Sequence, residues 1–246
     1  MSDRKLVQRA ANPRQYDGPA LDWLSVGREA SPSGGFFRES IATSLGNLAG
    51  RSLLEIGSGT GRLFGLFKSL GTSKIKGVEP SAKSAAVSRQ LHPDVPVFEG
   101  PFEKFPTEEI FDRVVAVMVF EHIENLNGAF SRIHRCLKPR GEFHLVVGDP
   151  ECQTNPALYD RIEIEPLDRG ALAVCTRRPF GVLCNIVRPL DHFQEAARGA
   201  GLTSLRTTSL PATAGLIAKH QSLKILGGQP LCHLLVFARA PEEPRE

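Results

Sequence analysis

Three glycines at alternate positions, Gly57, Gly59 and Gly61, stand between a short apolar run and a helix-like one. Leu53, Leu54 and Ile56 precede them as a buried parallel strand would, and Leu63, Phe64, Leu66, Phe67 and Leu70 follow at helical spacing. Strand, glycine turn and helix have the form of a nucleotide site. Glycine lets the backbone turn sharply and approach a ligand with no Cβ in the way, and a helix N-terminus favours electron-rich groups. Glu79 ends the next short strand, 22 residues beyond Gly57. The carboxyl end of that strand lies beside the glycine loop, so a carboxylate there faces ribose hydroxyls. Charge-assisted hydrogen bonds of this kind contribute about 1.5–3 kcal/mol each.

The spacing discriminates among nucleotide sites. A G-x-G-x-x-G dinucleotide fingerprint needs its third glycine where Arg62 stands, and no G-K-[ST] follows to make a P-loop. Glu55-Ile56-Gly57-Ser58-Gly59-Thr60-Gly61 resembles the first motif of class I S-adenosylmethionine-dependent methyltransferases, an acidic residue followed by G-x-G-x-G. Val78-Glu79-Pro80-Ser81, the F-D-x-V strand from Phe111 running into Glu121-His122, and Leu137-Lys138-Pro139-Arg140-Gly141 continue the resemblance in order. It spans about residues 50 to 147 and extends more weakly towards residue 240.

The resemblance implies a Rossmann-like α/β fold, a seven-stranded mixed sheet flanked by helices with its last strand antiparallel. It implies S-adenosylmethionine as cofactor and a small-molecule acceptor. Glu55, Gly57, Ser58, Gly59 and Gly61 would form the cofactor loop, and Glu79, Pro80 and Ser81 its ribose side. Val119 and Phe120 would lie at the sulfonium, with Arg38 as the candidate partner of the methionine carboxylate. His122 is the candidate general base or positioning group, with His192 as a second. The related enzymes often carry a G-D-A-E turn for adenine, whereas here Pro101 stands for the aspartate, with neither carboxylate nor N–H. Adenine recognition is then expected from backbone groups near Phe102 and Glu103, with Phe102 against the ring.

These residues require strands and helices in alternation. A helix is expected over Phe36 to Leu48, ended by Gly50, and a second over Ser81 to Leu91 with Ser81 as N-cap. Strands are expected at Pro96 to Phe98 and Phe111 to Phe120, and a helix at Ala129 to Leu137, stopped by Lys138 to Gly141. A fifth strand follows at Glu142 to Val147. Residues 151 to 189, with Tyr159, Arg177, Arg178, Phe180 and Asn185, form an insertion at the carboxyl edge of the sheet, where the family places its acceptor cover. A helix starting at Arg188-Pro189-Leu190-Asp191 and ending at Gly199 to Gly201, with strands at Leu202 to Ser209 and Leu231 to Ala240, completes the domain of residues 36 to 240. Residues 1 to 35 form an arm rich in Pro, Gly, Ser and Arg, anchored by Tyr16 and Trp23, and residues 241 to 246 a solvated, disordered tail.

At 246 residues and a net charge of +3, the chain suits one α/β domain and lacks the basic excess of a nucleic-acid binder. The longest apolar run, Val114 to Phe120, is seven residues, too short for a membrane span. Five scattered cysteines with no C-x-x-C read as reduced thiols in a cytoplasmic protein, and no metal-ligand cluster is visible. Two other classes stay open: a nicotinamide-dependent oxidoreductase or epimerase, which Arg62 and the lack of a Y-x-x-x-K pair disfavour, and a non-catalytic cofactor-binding protein, which Pro101 keeps in play.

Overall fold

The computed structural model describes residues 5–17, 32–178 and 181–241. Trp23, Phe180 and residues 242–246 of the tail lie outside them. In chain order the elements are α1 (Lys5–Ala10), a 3-10 turn (Pro13–Tyr16), α2 (Pro32–Leu45), β1 (Ser52–Ile56), α3 (Phe64–Ser69), β2 (Lys74–Glu79), α4 (Ala82–Leu91) and β3 (Val97–Glu99). There follow β4 (Phe111–Val117), α5 (Leu126–Cys136), β5 (Leu137–Gly148), α6 (Pro150–Thr154), β6 (Ile162–Pro166), β7 (Leu172–Arg178) and β8 (Gly181–Val187). The chain closes with α7 (Leu190–Gly199), β9 (Leu202–Pro211), α8 (Ala214–Lys219) and β10 (Pro230–Arg239).

Seven strands form one sheet in the order β3-β2-β1-β4-β5-β10-β9. The first five pair in parallel, and β10 runs antiparallel to both β5 and β9. The strand order reverses between β1 and β4, and their carboxyl ends open the crevice that the glycine loop occupies. Successive side chains on a strand point to opposite faces. Accordingly Leu54, Val114, Phe143 and Phe237 pack under α5 and α7, while Leu53, Val115, Val146 and Val236 pack with α2 and α3. Phe120, Phe130, Phe143 and Phe237 are fully buried in contact with one another. Each such ring contributes about 1.5–3 kcal/mol relative to exposure.

Several boundaries differ from expectation for local reasons. α2 begins at Pro32 and ends at Leu45, because Gly46 takes φ 60° and Leu48 is buried from the loop beyond. β4 ends at Val117, since Met118 adopts φ 55° and turns the chain out of the sheet. Lys138 to Gly141 do not separate α5 from β5 but form an irregularity inside it, where Leu137 pairs with Phe111 and Glu142 with Arg113. Arg140 absorbs the bulge at φ 61°. Ser81 caps α4 as expected, its Oγ accepting from Ser84 N–H.

The insertion after β5 is a second sheet, β6-β7-β8, antiparallel throughout. It corrects the cysteine reading: Cys175 and Cys184 face each other across β7 and β8 and form a disulfide, while Cys136, Cys152 and Cys232 are free and buried. α1 covers one face of this sheet, with Val7 and Ala10 packed on Ala173, Cys175, Cys184 and Ile186. No helix among the described residues is long and apolar enough to cross a membrane.

Candidate active site

The glycine loop is fixed to β2 before any ligand is considered. Gly57 and Ser58 both donate to the Val78 carbonyl, at 2.8 and 3.0 Å. Gly57, Gly59 and Gly61 all have positive φ, a conformation that side chains disfavour. Their surroundings differ. A Cβ on Gly57 would stand 2.3 Å from a Val119 methyl, whereas one on Gly59 would meet nothing within 4 Å. Gly57 is thus a packing glycine, and Gly59 bares the loop to the crevice.

Glu79, 7% exposed, holds the open position in place. One carboxylate oxygen accepts from Gly59 N–H and the other from Ser81 N–H, both at 2.8 Å. Each oxygen keeps a lone pair for a further donor. Burial raises its pKa, the two amide hydrogen bonds oppose this, and Asp17 adds to the rise. Glu55 lies fully buried nearby, held well above the usual carboxylate range by burial and then by the charge of Glu79. Its Oε2, Ser58 Oγ and Glu121 Oε2 are buried without a hydrogen-bond partner among the described residues.

The turn after β4 forms the opposite wall. Val119 leans over Gly57, while Phe120 is in the core rather than at the crevice surface. Glu121 accepts from Gly148 N–H at 2.8 Å, and burial raises its pKa. Arg188 secures this turn from the far side, donating to the carbonyls of Phe120, Ile123 and Glu124 at 2.9, 2.6 and 3.2 Å. Sequence reasoning saw Arg188 only as the start of a helix, because nothing local announces a guanidinium that caps a turn 65 residues upstream.

His122 is the candidate whose surroundings change its reading most. Its Nδ1 lies 3.0 Å from the Ala10 carbonyl and its Nε2 is hydrogen bonded to the Tyr16 hydroxyl. Nδ1 also lies 3.2 Å from Gln15 Nε2, but that amide donates at 3.0 Å to the same Ala10 carbonyl; a carbonyl only accepts, so Nδ1 carries the proton and Nε2 accepts from Tyr16. Gln15 donates to the same Ala10 carbonyl and, through its Oε1, accepts from Cys184 N–H at 3.0 Å. Asp17 accepts from Ser81 Oγ at 2.7 Å. Burial lowers the His122 pKa to about 4 and raises that of Tyr16, on which Glu121 and Glu79 act in the same direction. Both ring nitrogens are therefore taken by the arm, and the imidazole is neutral near pH 7. Gln15 and Asp17 were not anticipated, and Tyr16 only as a bulky anchor.

The remaining candidates are more peripheral. Arg38 is exposed and donates to the Arg62 carbonyl at 3.3 Å, at the end of the glycine loop. Pro80 is half-buried beside Ser81. Phe102 is buried in the core beside Phe105, with the Arg132 guanidinium 5.8 Å from its ring centre, while Glu103 is exposed. His192 sits half-buried on α7, its N–H donating to the Pro189 carbonyl. Among the described residues no three His, Cys, Asp or Glu side chains group to hold a metal ion.

An adenosyl cofactor fits this arrangement: the loop is bare at Gly59, the Glu79 carboxylate is aligned beside it, and Glu55, Ser58 and Glu121 each keep a buried polar atom without a partner among the described residues. Residues 54–145 match the family described as a methyltransferase domain. An uncharacterized methyltransferase of Oceanobacillus iheyensis is 30% identical over 115 residues, 46% of this chain and 53% of that one. The ubiquinone biosynthesis O-methyltransferase of Rhodopseudomonas palustris is 36% identical over 108 residues, 42% of each chain. The chain thus spans about half the length of these curated relatives. An S-adenosylmethionine-dependent methyltransferase from Mesorhizobium loti superposes with a TM-score of 0.66 at 19% identity, over 85% of this chain and all of that one. The SAM-bound amino pentose methyltransferase of Micromonospora echinaspora gives 0.59 at 17% identity, over 89% of this chain and 96% of that one. The fold is that of the class I methyltransferases.

Proposed function

We propose that this chain, whose residues 54–145 match a methyltransferase domain family, transfers the methyl group of S-adenosylmethionine to an O or N atom of a small-molecule acceptor. The observation that carries the reading is the pairing of the open-faced Gly59 with Glu79, whose carboxylate is aligned by the loop it serves. The antiparallel β10 between β5 and β9 separates this sheet from the all-parallel dinucleotide fold and weighs against a nicotinamide enzyme. When bound, the cofactor supplies an already activated methyl group, so the hard chemistry is its own.

The chain's residues then bind, orient and exclude water. Gly57, Ser58, Gly59 and Gly61 cradle the cofactor, with Arg38 and Glu55 towards its amino-acid end. Glu79, Pro80 and Ser81 take the ribose, and backbone groups at Phe102 and Glu103 the adenine side. Val119 borders the reacting centre, with Phe120 supporting that turn from the core. His122 acts as a positioning residue: its two nitrogens hold the arm at Ala10 and Tyr16. The acceptor enters beside the inserted β6-β7-β8 sheet, at the carboxyl edge of the main sheet. Orienting the two reactants can supply up to about 7–11 kcal/mol of the barrier. A net charge of +3 supports a small acceptor over a nucleic acid, and the relative named as an O-methyltransferase favours oxygen as the accepting atom.

Calorimetry with S-adenosylmethionine, S-adenosylhomocysteine and NADH tests the reading. Both adenosyl compounds should bind, NADH should not, and Glu79→Ala should weaken binding about tenfold or more, roughly 1.4 kcal/mol. Binding of NADH in place of the adenosyl compounds would sink it. Binding without turnover across acceptors would favour the non-catalytic reading that Pro101 supports.

A further inference from the structure

The disulfide and the active site meet in the arm. Cys175 and Cys184 are each 2% exposed and belong to a small core made with Val7, Ala10, Ala173 and Ile186. Two of these six residues come from α1, so the sulfurs form part of the surface on which the arm rests. The link is polar as well as apolar. Cys184 N–H donates to Gln15 Oε1, and Gln15 Nε2 donates to the Ala10 carbonyl that also holds His122 Nδ1. Glu165 from β6 accepts from Leu6 N–H, at the first turn of α1. From the sulfur pair to the Tyr16–His122 contact there is one unbroken set of neighbours.

We propose that the redox state of Cys175–Cys184 governs the docking of residues 5–17, and through Tyr16 and His122 the closure of the active site. The direction follows from packing and connectivity. A sulfur–sulfur bond is shorter than the van der Waals contact between two thiols, so reduction pushes the sulfurs apart in a layer directly beneath Val7 and Ala10. β8 is an edge strand of its sheet, and the bond cross-links it to β7 across a separation of nine residues. Without the bond β8 opens more readily and carries away the Cys184 N–H that Gln15 grips. In the reaction itself, two thiols of a reductant supply two electrons and two protons to the bond. Two cysteine thiols form, and the reductant becomes a disulfide.

The test uses the full chain, equilibrated with oxidised glutathione or with dithiothreitol, and amide hydrogen exchange over residues 5–17. Reduction should speed that exchange about tenfold or more. The double variant Cys175→Ala/Cys184→Ala should show one exchange rate in both buffers, which excludes effects at Cys136, Cys152 and Cys232. Equal rates for the oxidised and reduced wild type overturn the proposal. So does a redox effect that survives in the double variant, or a Cys175 and Cys184 that stay open to alkylation after oxidation. A second readout rests on the methyltransferase reading: S-adenosylhomocysteine should leave the reduced protein about tenfold faster. Failure of that ligand to bind either form would count against the methyltransferase reading, while the exchange rates alone decide the redox proposal.

Discussion

Replacing His122 by Asn should flatten one specific part of the pH dependence of stability. In the folded chain His122 is half-buried between Ala10 and Tyr16, and desolvation there lowers its pKa to about 4, against an ordinary 6.5. As the pH falls below about 6.5 the unfolded chain takes up a proton at this residue and the folded chain does not, so acid favours unfolding. The loss begins near pH 6.5, grows by about 1.36 kcal/mol per pH unit and levels off near pH 4, in all about 3 kcal/mol. Buried Glu55, Glu79 and Glu121 act in the opposite sense. Their pKa values are raised, so the folded chain holds protons there that the unfolded chain releases, and acid favours folding. They are common to both proteins and cancel in the difference. Urea denaturation of wild type and His122→Asn at intervals from pH 7 to 4 reads this difference directly. Wild type should lose about 3 kcal/mol relative to the variant. Curves that stay parallel would refute the burial of a neutral His122 under the arm.

Gly57→Ala and Gly59→Ala should separate packing from ligand access. The first drives a methyl into Val119 at 2.3 Å and should cost about 1–3 kcal/mol in urea beyond the left-handed strain that both share. The second meets no neighbour and should fold with a small loss, yet weaken S-adenosylhomocysteine binding by roughly tenfold in calorimetry. Equal stability losses for the two would contradict the geometry of the loop. Arg188→Met strips the donors from three carbonyls of the Phe120–Glu124 turn and should lower the unfolding free energy by about 2–4 kcal/mol. A change below about 1 kcal/mol in the same denaturation assay would mean that the turn holds without it.

What could be read along the chain was whatever a short window must encode. Glycines that need positive φ, a strand that must be apolar on both faces and a serine that must cap a helix each leave a local mark, and Gly57, β4 and Ser81 stand where those marks put them. Boundaries slipped where a non-glycine residue took a left-handed conformation, as at Met118 and Arg140, because that choice is imposed by the hydrogen bonds of the neighbouring strand. Met118 N–H donates to the Val146 carbonyl, a partner no window of sequence contains.

By itself, then, the sequence determined the alternating α/β order, the glycine loop and the carboxylate that serves it, since each depends on residues a turn or a strand apart. Only the tertiary structure decided that Tyr16 reaches His122 across 106 positions, that Gln15 bridges to Cys184 across 169, and that Cys175 faces Cys184. The physical reason is that these contacts follow from how two sheets and an arm pack together. Burial, not residue type, gives His122 its low pKa, while the Ala10 carbonyl fixes which of its nitrogens carries the proton and turns a candidate base into the support of the arm.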